Sequence, residues 1–113
     1  MIYKLLSTRE WQAAEASGRF DGSAVDHVDG YIHLSARDQV VETARRHFAG
    51  QSGLTLLTID PEAVGAELRW EASRGGSLFP HLYAPLPVAA VVEARELPDG
   101  VPVADAVAEA ISS

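Results

Sequence analysis

"ELRWEASRGGSLFPHLYAPL", residues 67–86, decides how the chain is read. In its first seven residues Leu68, Trp70 and Ala72 fall on one side of an extended backbone and Glu67, Arg69, Glu71 and Ser73 on the other. This is the period of two expected of a half-buried strand. "RGGS" (74–77) breaks the alternation with consecutive glycines and reads as a flexible hairpin-type loop. "LFPHLYAPL" (78–86) resumes it, with Phe79, His81 and Tyr83 on one face and Pro80 and Leu82 on the other. Its two prolines each lack an amide donor, which argues for an edge position.

The same logic extends outward. "DGYIHLS" (29–35) opens on a turn signal and continues as a strand that sets Tyr31, His33 and Ser35 on one face and Ile32 and Leu34 on the other. "IYKLL" (2–6) reads as a short strand. Ser7 and Glu10 have the spacing of a capping box, with Leu6 and Trp11 at the staple positions, so a helix starts here and runs to Gly18. Trp11 is then a packing anchor. Residues 19–30 hold two Asp-Gly pairs and little periodicity, and read as a surface loop that contains His27. Residues 36–49 follow a helical period through Val40, Ala44 and Phe48, with Ser35 as N-cap and Arg45, Arg46 and His47 in the last turn. "LTLLTID" (54–60) is apolar on both faces and reads as a central strand, "PVAAVVEARELP" (87–98) as another buried strand, and the last fifteen residues as a short helix through Val103, Val107 and Ile111, or a frayed end. The sum is a single α+β domain over residues 1–113, with roughly six strands and two to three helices.

Composition narrows the function classes. With 47% hydrophobic and 22% charged residues, the chain is of ordinary globular type. It has no cysteine, which removes disulfides, thiolate metal sites and cysteine nucleophiles. "MIYKLL" is too short for the apolar core of a signal peptide, and no apolar run nears the ~18–20 residues of a membrane span, so a cytoplasmic location is expected with no membrane partner. The net charge is −7 and the basic residues are scattered, apart from Arg45-Arg46, which disfavours nucleic acid. One or two placed arginines still suffice for a small phosphate-bearing ligand.

Three strands each present a polar or aromatic face: Tyr31/His33, Arg69/Glu71 and His81/Tyr83. If the faces converge they line one cleft, with a residue set suited to proton transfer, ribose hydroxyl recognition and stabilisation of an oxocarbenium ion. The competing reading is the solvated outer face of a one-sided antiparallel sheet. Such a face favours Lys, Glu and Thr, whereas this set of His, Tyr and Phe suits a concave lining better. Each residue also has a structural alternative: Ser35 as a helix cap, Glu71 in a salt bridge with Arg69 or Arg95, and Tyr31 and Tyr83 as wall. In "SRGGS", Arg74 beside exposed glycine amides could clamp a phosphate or carboxylate, or the stretch is simply a loop.

The order "IYKLL…W…A…G", "DGYIHLS…QV…TA…HF.G", "LRWE" and "FPHLYAPL" resembles the bacterial family known as domain of unknown function 952, over nearly the whole chain. Its motif positions correspond to His33, Ser35, Gln39, Arg69, Trp70, Glu71, Pro80, His81 and Tyr83. The resemblance implies an ADP-ribosyltransferase-like fold, in which a curved, split, mainly antiparallel sheet forms a cleft that grips NAD. It implies no established activity. Lys4 stands in the first strand where such enzymes often carry a cation, but the order of Lys4, His33 and Glu71 does not map cleanly onto their usual triad.

Three readings follow. In the first, an enzyme acts on NAD or another ADP-ribose-bearing substrate, with His33, Glu71 and His81 catalytic and Tyr31, Ser35, Arg69, Arg74 and Tyr83 binding the ligand; no bound cofactor is called for, and NAD enters as substrate. In the second, a non-catalytic module binds a nucleotide or small anion in the same cleft. The third, ranked lowest, makes His33, His81 and Glu71 a two-histidine, one-carboxylate metal site.

Overall fold

The computed structural model describes residues 1–112, the side chain of Arg74 excepted. Along the chain run β1 (Ile2–Ser7), α1 (Thr8–Ser17), β2 (Arg19–Phe20), α2 (Ala24–Asp29), β3 (Ile32–His33), β4 (Ser35–Ala36), α3 (Val40–His47), β5 (Leu54–Ile59), β6 (Leu68–Ala72), β7 (Leu78–Leu82), β8 (Leu86–Pro87), β9 (Val91–Glu96) and α4 (Val103–Ser112). The strands form three antiparallel sheets, ordered β4-β1-β5-β9, β2-β8 and β3-β7-β6. Among the described residues this is one α+β domain with four α-helices: α1 and α3, the C-terminal α4 offered as an alternative to a frayed end, and α2, which was not expected.

β1 and β5 sit centrally in the largest sheet, and their alternation builds two apolar layers. Ile2, Leu6, Leu57 and Ile59 face a core shared with Trp11 and Ala14 of α1, Phe20, Ile32, Leu34, Leu82 and Leu86. Tyr3, Leu5, Leu54 and Leu56 face a second core closed by Val40 and Ala44 of α3 and by Val103, Ala106 and Val107 of α4. Each fully buried aliphatic side chain contributes about 1.5–3 kcal/mol by leaving water. α1 starts as its sequence dictates: the Ser7 hydroxyl accepts from Glu10 N at 3.0 Å while the Glu10 carboxylate accepts from Ser7 N at 3.1 Å. It stops at Gly18, whose φ of 90° is left-handed backbone that favours glycine.

The strand read at residues 31–35 does not stay in one sheet. Ile32 and His33 pair with Leu82 and His81, whereas Ser35 and Ala36 pair with Tyr3 and Ile2, so the chain changes sheets at Leu34. β4 covers β1 only at residues 2 and 3, and a cleft opens along the remainder of β1, between the large sheet and β3-β7-β6.

Several expectations are corrected. Residues 19–30 are no featureless loop: they carry β2, then α2, with His27 exposed on the helix. Ser35 does not cap α3; it lies in β4, buried, with its hydroxyl 2.9 Å from Thr43 Oγ1, and the helix begins four residues later behind Gln39. The Gln39 side chain braces the turn before it, accepting from Ala36 N at 2.9 Å and donating to Leu78 O at 2.7 Å. β7 is the middle strand of its sheet, not an edge. Pro80 is tolerated because the backbone N and C=O of one strand residue point the same way. The Pro80 carbonyl accepts from Leu34 N at 3.1 Å, so the missing donor faces the point where β3 ends. The reading of 87–98 as one buried strand also fails. A 3-10 turn at Val88–Ala90 splits it, and β9 is an edge strand with Val92 exposed.

Candidate functional site

The three faces singled out in the sequence meet on one sheet. His33 of β3 lies opposite His81 of β7, which lies opposite Arg69 of β6, and Glu71 lies opposite Phe79. Cross-strand neighbours on one face stand close enough for side chains to touch, and these do. The His81 ring has Nδ1 2.8 Å from Glu71 Oε1, and the Tyr83 hydroxyl donates to the same oxygen at 2.6 Å. Tyr31 stacks on His81 with ring centroids 4.0 Å apart and leans against His33 at 4.6 Å and Tyr83 at 5.3 Å. The two histidine rings are 5.9 Å apart, edge to face. Arg69 lies over the Tyr83 ring at 5.5 Å.

His33 is held from both sides. Its Nδ1 is 2.7 Å from Asp26 Oδ1 and its Nε2 2.8 Å from Asp29 Oδ2, both on α2. A carboxylate only accepts, so each carboxylate takes one edge of the ring and fixes its orientation. Asp26 is the centre of the arrangement. It is 2% exposed and also accepts from Lys4 Nζ at 3.1 and 3.2 Å, from Ser23 N at 2.8 Å and from His33 N at 3.1 Å. Lys4, 6% exposed, donates in addition to the His33 carbonyl at 2.9 Å. One carboxylate thereby joins β1, the N-terminus of α2 and β3.

Electrostatics follow from these contacts. Burial would raise the Asp26 pKa, but the His33 hydrogen bond, the Lys4 charge and the backbone amides of Ser23 and His33 outweigh it and hold the carboxyl well below its usual range. Burial pulls the Lys4 ammonium below its ordinary value against the opposing pull of Asp26. The hydrogen bonds from Tyr83 and His81 lower the Glu71 pKa, and the same bond to Glu71 raises that of Tyr83. Burial, then the charges of Asp29, Glu71 and Asp26, push the Tyr31 phenol up.

The cleft beside this cluster encloses about 670 Å³ and is lined by β1 from Tyr3 to Ser7, the start of α2, His33, Ser35, one side of α3, Phe79 and His81. That volume is within the range of small-molecule sites. Glu71 forms neither of the salt bridges considered for it: its partners are His81 and Tyr83, while Arg95 lies 3.4 Å from Glu93. Arg74's side chain, an expected anion clamp, lies outside the described residues. Among those residues no group of three or more His, Asp and Glu is disposed to hold a metal ion. Both ring nitrogens of His33 already face carboxylates, so the His33/His81/Glu71 metal arrangement does not form.

The profile of a family described as "Protein of unknown function (DUF952)" matches residues 5–94. The chain belongs to this family. The matched segment runs from β1 into β9 and includes every residue of the cluster except Lys4. Among solved structures, the DUF952 chain is similar to the crystal structure of protein CC0527 from Caulobacter crescentus. The two are 55% identical, with a TM-score of 0.86 over 95% of this chain and 97% of that one. A double-methionine variant of CC0527 gives 54% and 0.85 over the same shares. Its solution NMR structure gives 57% and 0.77 over 89% and 90%. No curated protein matches the chain. No helix among the described residues of this DUF952 protein is long and apolar enough to cross a membrane.

Sequence reasoning brought out His33, Glu71, His81, Tyr31, Tyr83 and Arg69, and these six gather here. Ser35 lines the cleft but is bonded to Thr43. Asp26 and Asp29 were missed. The available signal was the Ser23-to-Asp26 spacing, which resembles a helix-start motif inside a stretch otherwise without pattern.

Proposed function

We propose that this protein is an enzyme that binds NAD or another ADP-ribose-bearing nucleotide in the cleft, in a fold of ADP-ribosyltransferase type, and acts at the ribose. The observation that carries the reading is the state of His81. Glu71 takes its Nδ1, which leaves Nε2 with no partner among the described residues, on a ring that lines the cleft. A carboxylate that fixes one nitrogen and frees the other is the arrangement of a general base. Glu71, held ionised by two donors, supplies negative charge that favours a cationic ribosyl transition state. As the bond from C1′ to its nitrogen leaving group breaks and a nucleophile's oxygen bonds C1′, His81 Nε2 takes the nucleophile's proton. Tyr31 and Phe79 offer ring surfaces at the same place, and the divergence of the two sheets at Leu34 supports the fold assignment.

The test is NAD turnover followed by proton NMR, with binding by calorimetry. Wild-type protein should consume NAD, and Glu71→Gln should abolish consumption while circular dichroism stays unchanged. Absence of both binding and consumption, for NAD and for ADP-ribose, overturns the reading. A second reading, binding without chemistry, is favoured by His33, whose two nitrogens are both taken by carboxylates. It predicts a raised melting temperature with NAD and no product.

A further inference from the structure

β6 is the outer strand of β3-β7-β6, and it is built to pair with itself. Tyr83 N donates to Glu67 O and Ser73 N to Ser77 O, each at 3.0 Å, at the two ends of a pairing that shows no register shift. Hydrogen-bonded pairs alternate along an antiparallel ladder, so the backbone groups of Arg69 and Glu71 point to β7. Those of Leu68, Trp70 and Ala72 point outward, and among the described residues no strand pairs with them. The edge carries no proline, no lysine and no bulge. Trp70 is 47% exposed on it, and Leu78, on the neighbouring strand, 54%.

We propose that this edge joins two copies of the chain, β6 to β6, antiparallel about Trp70. In that register Trp70 faces the partner's Trp70 and Leu68 faces the partner's Ala72, which matches every outward donor to an outward acceptor. Arg69 then faces the partner's Glu71, and Glu71 the partner's Arg69, in non-hydrogen-bonded pairs, where side chains stand closest. The two neighbouring registers that keep the outward groups aligned are unfavourable: centring on residue 69 opposes two arginines, and centring on residue 71 opposes two glutamates. Arg69 lies over the Tyr83 ring but reaches no carboxylate within ion-pair distance among the described residues of its own chain, so it breaks no ion pair to take this role.

Another edge strand, β9, has a similar charge alternation at Glu93 and Arg95. There the arginine already lies 3.4 Å from Glu93 and bonds the Ala110 carbonyl, and a bulge at Thr58/Ile59 disturbs the pairing beside it. The dimer is independent of the reaction proposed above, but it brings the partner's Arg69 beside the carboxylate that holds His81.

Sedimentation equilibrium on the whole chain, from micromolar to about 1 mM, should give twice the chain mass. Arg69→Glu sets two glutamates against each other and should raise the dissociation constant at least about tenfold. The exchange Arg69→Glu with Glu71→Arg should restore association. Ala72→Pro removes only an outward donor and should weaken association as well; circular dichroism checks that each variant is folded. A single chain mass throughout overturns the proposal. So does a dimer that neither Arg69→Glu nor Ala72→Pro weakens, which would place the contact elsewhere.

Discussion

Asp26 accepts from four donors, and Lys4 depends on it. Removing the carboxylate leaves a buried ammonium whose one remaining hydrogen bond among the described residues is to the His33 carbonyl. Asp26→Ala should therefore cost about 3–5 kcal/mol in urea unfolding, the usual penalty for orphaning one member of a buried pair. The pH dependence has a definite sign. The folded pKa of Asp26 lies below the ordinary carboxyl value of ~4, so its contribution is complete above that value and is lost as the pH falls through the folded pKa. The melting temperature of the wild type should drop on acidification below about pH 4, and that of Asp26→Asn should vary less over the same span; parallel curves would contradict the assignment. Glu71 provides a second residue-level check. Its hydrogen bond raises the Tyr83 pKa, so Glu71→Gln should bring one tyrosine back toward ordinary titration in an ultraviolet pH series.

At the scale of elements, α1 was legible because its signals are local. Ser7, Glu10 and Gly18 act within one or two turns of themselves, and Ser7→Ala should cost about 1 kcal/mol in thermal unfolding through the lost cap. α2 was illegible for the opposite reason. It has six residues, and its one buried residue is an aspartate, so it has no apolar stripe to detect. Ser35 deceived because a serine before an apolar run satisfies the cap pattern, whereas this one spends its hydroxyl on Thr43 across the α3 interface. Pro80 deceived because proline excludes a central strand only where a neighbouring strand needs its amide. Here β3 stops first.

For the molecule as a whole, the apolar run of β5 foretold a strand buried on both faces, but not that β1 is buried likewise or that two separate apolar layers share the pair. Leu57, fully buried, faces the layer shared with Trp11 and Ala14 of α1, and Leu57→Ala should cost about 2–5 kcal/mol. Because both layers rest on the same two strands, the loss should appear as one cooperative transition at a lower denaturant midpoint, with no separate early phase. The convergence of Tyr31, His33, Arg69, Glu71, His81 and Tyr83 was readable as three strand faces. Their pairing order was not, since register between distant strands is set by the core and turns together.

The stretch from Arg19 to Gly30 has the least pattern in the chain and would ordinarily be taken for the region most open to variation. Its one buried carboxylate reverses that at a single point. In a saturation scan scored by abundance, Val25 and Val28, both solvent-facing, should accept most replacements, while position 26 between them should accept almost none. The tolerance profile along α2 would then be an isolated spike, the signature of a segment anchored by one side chain.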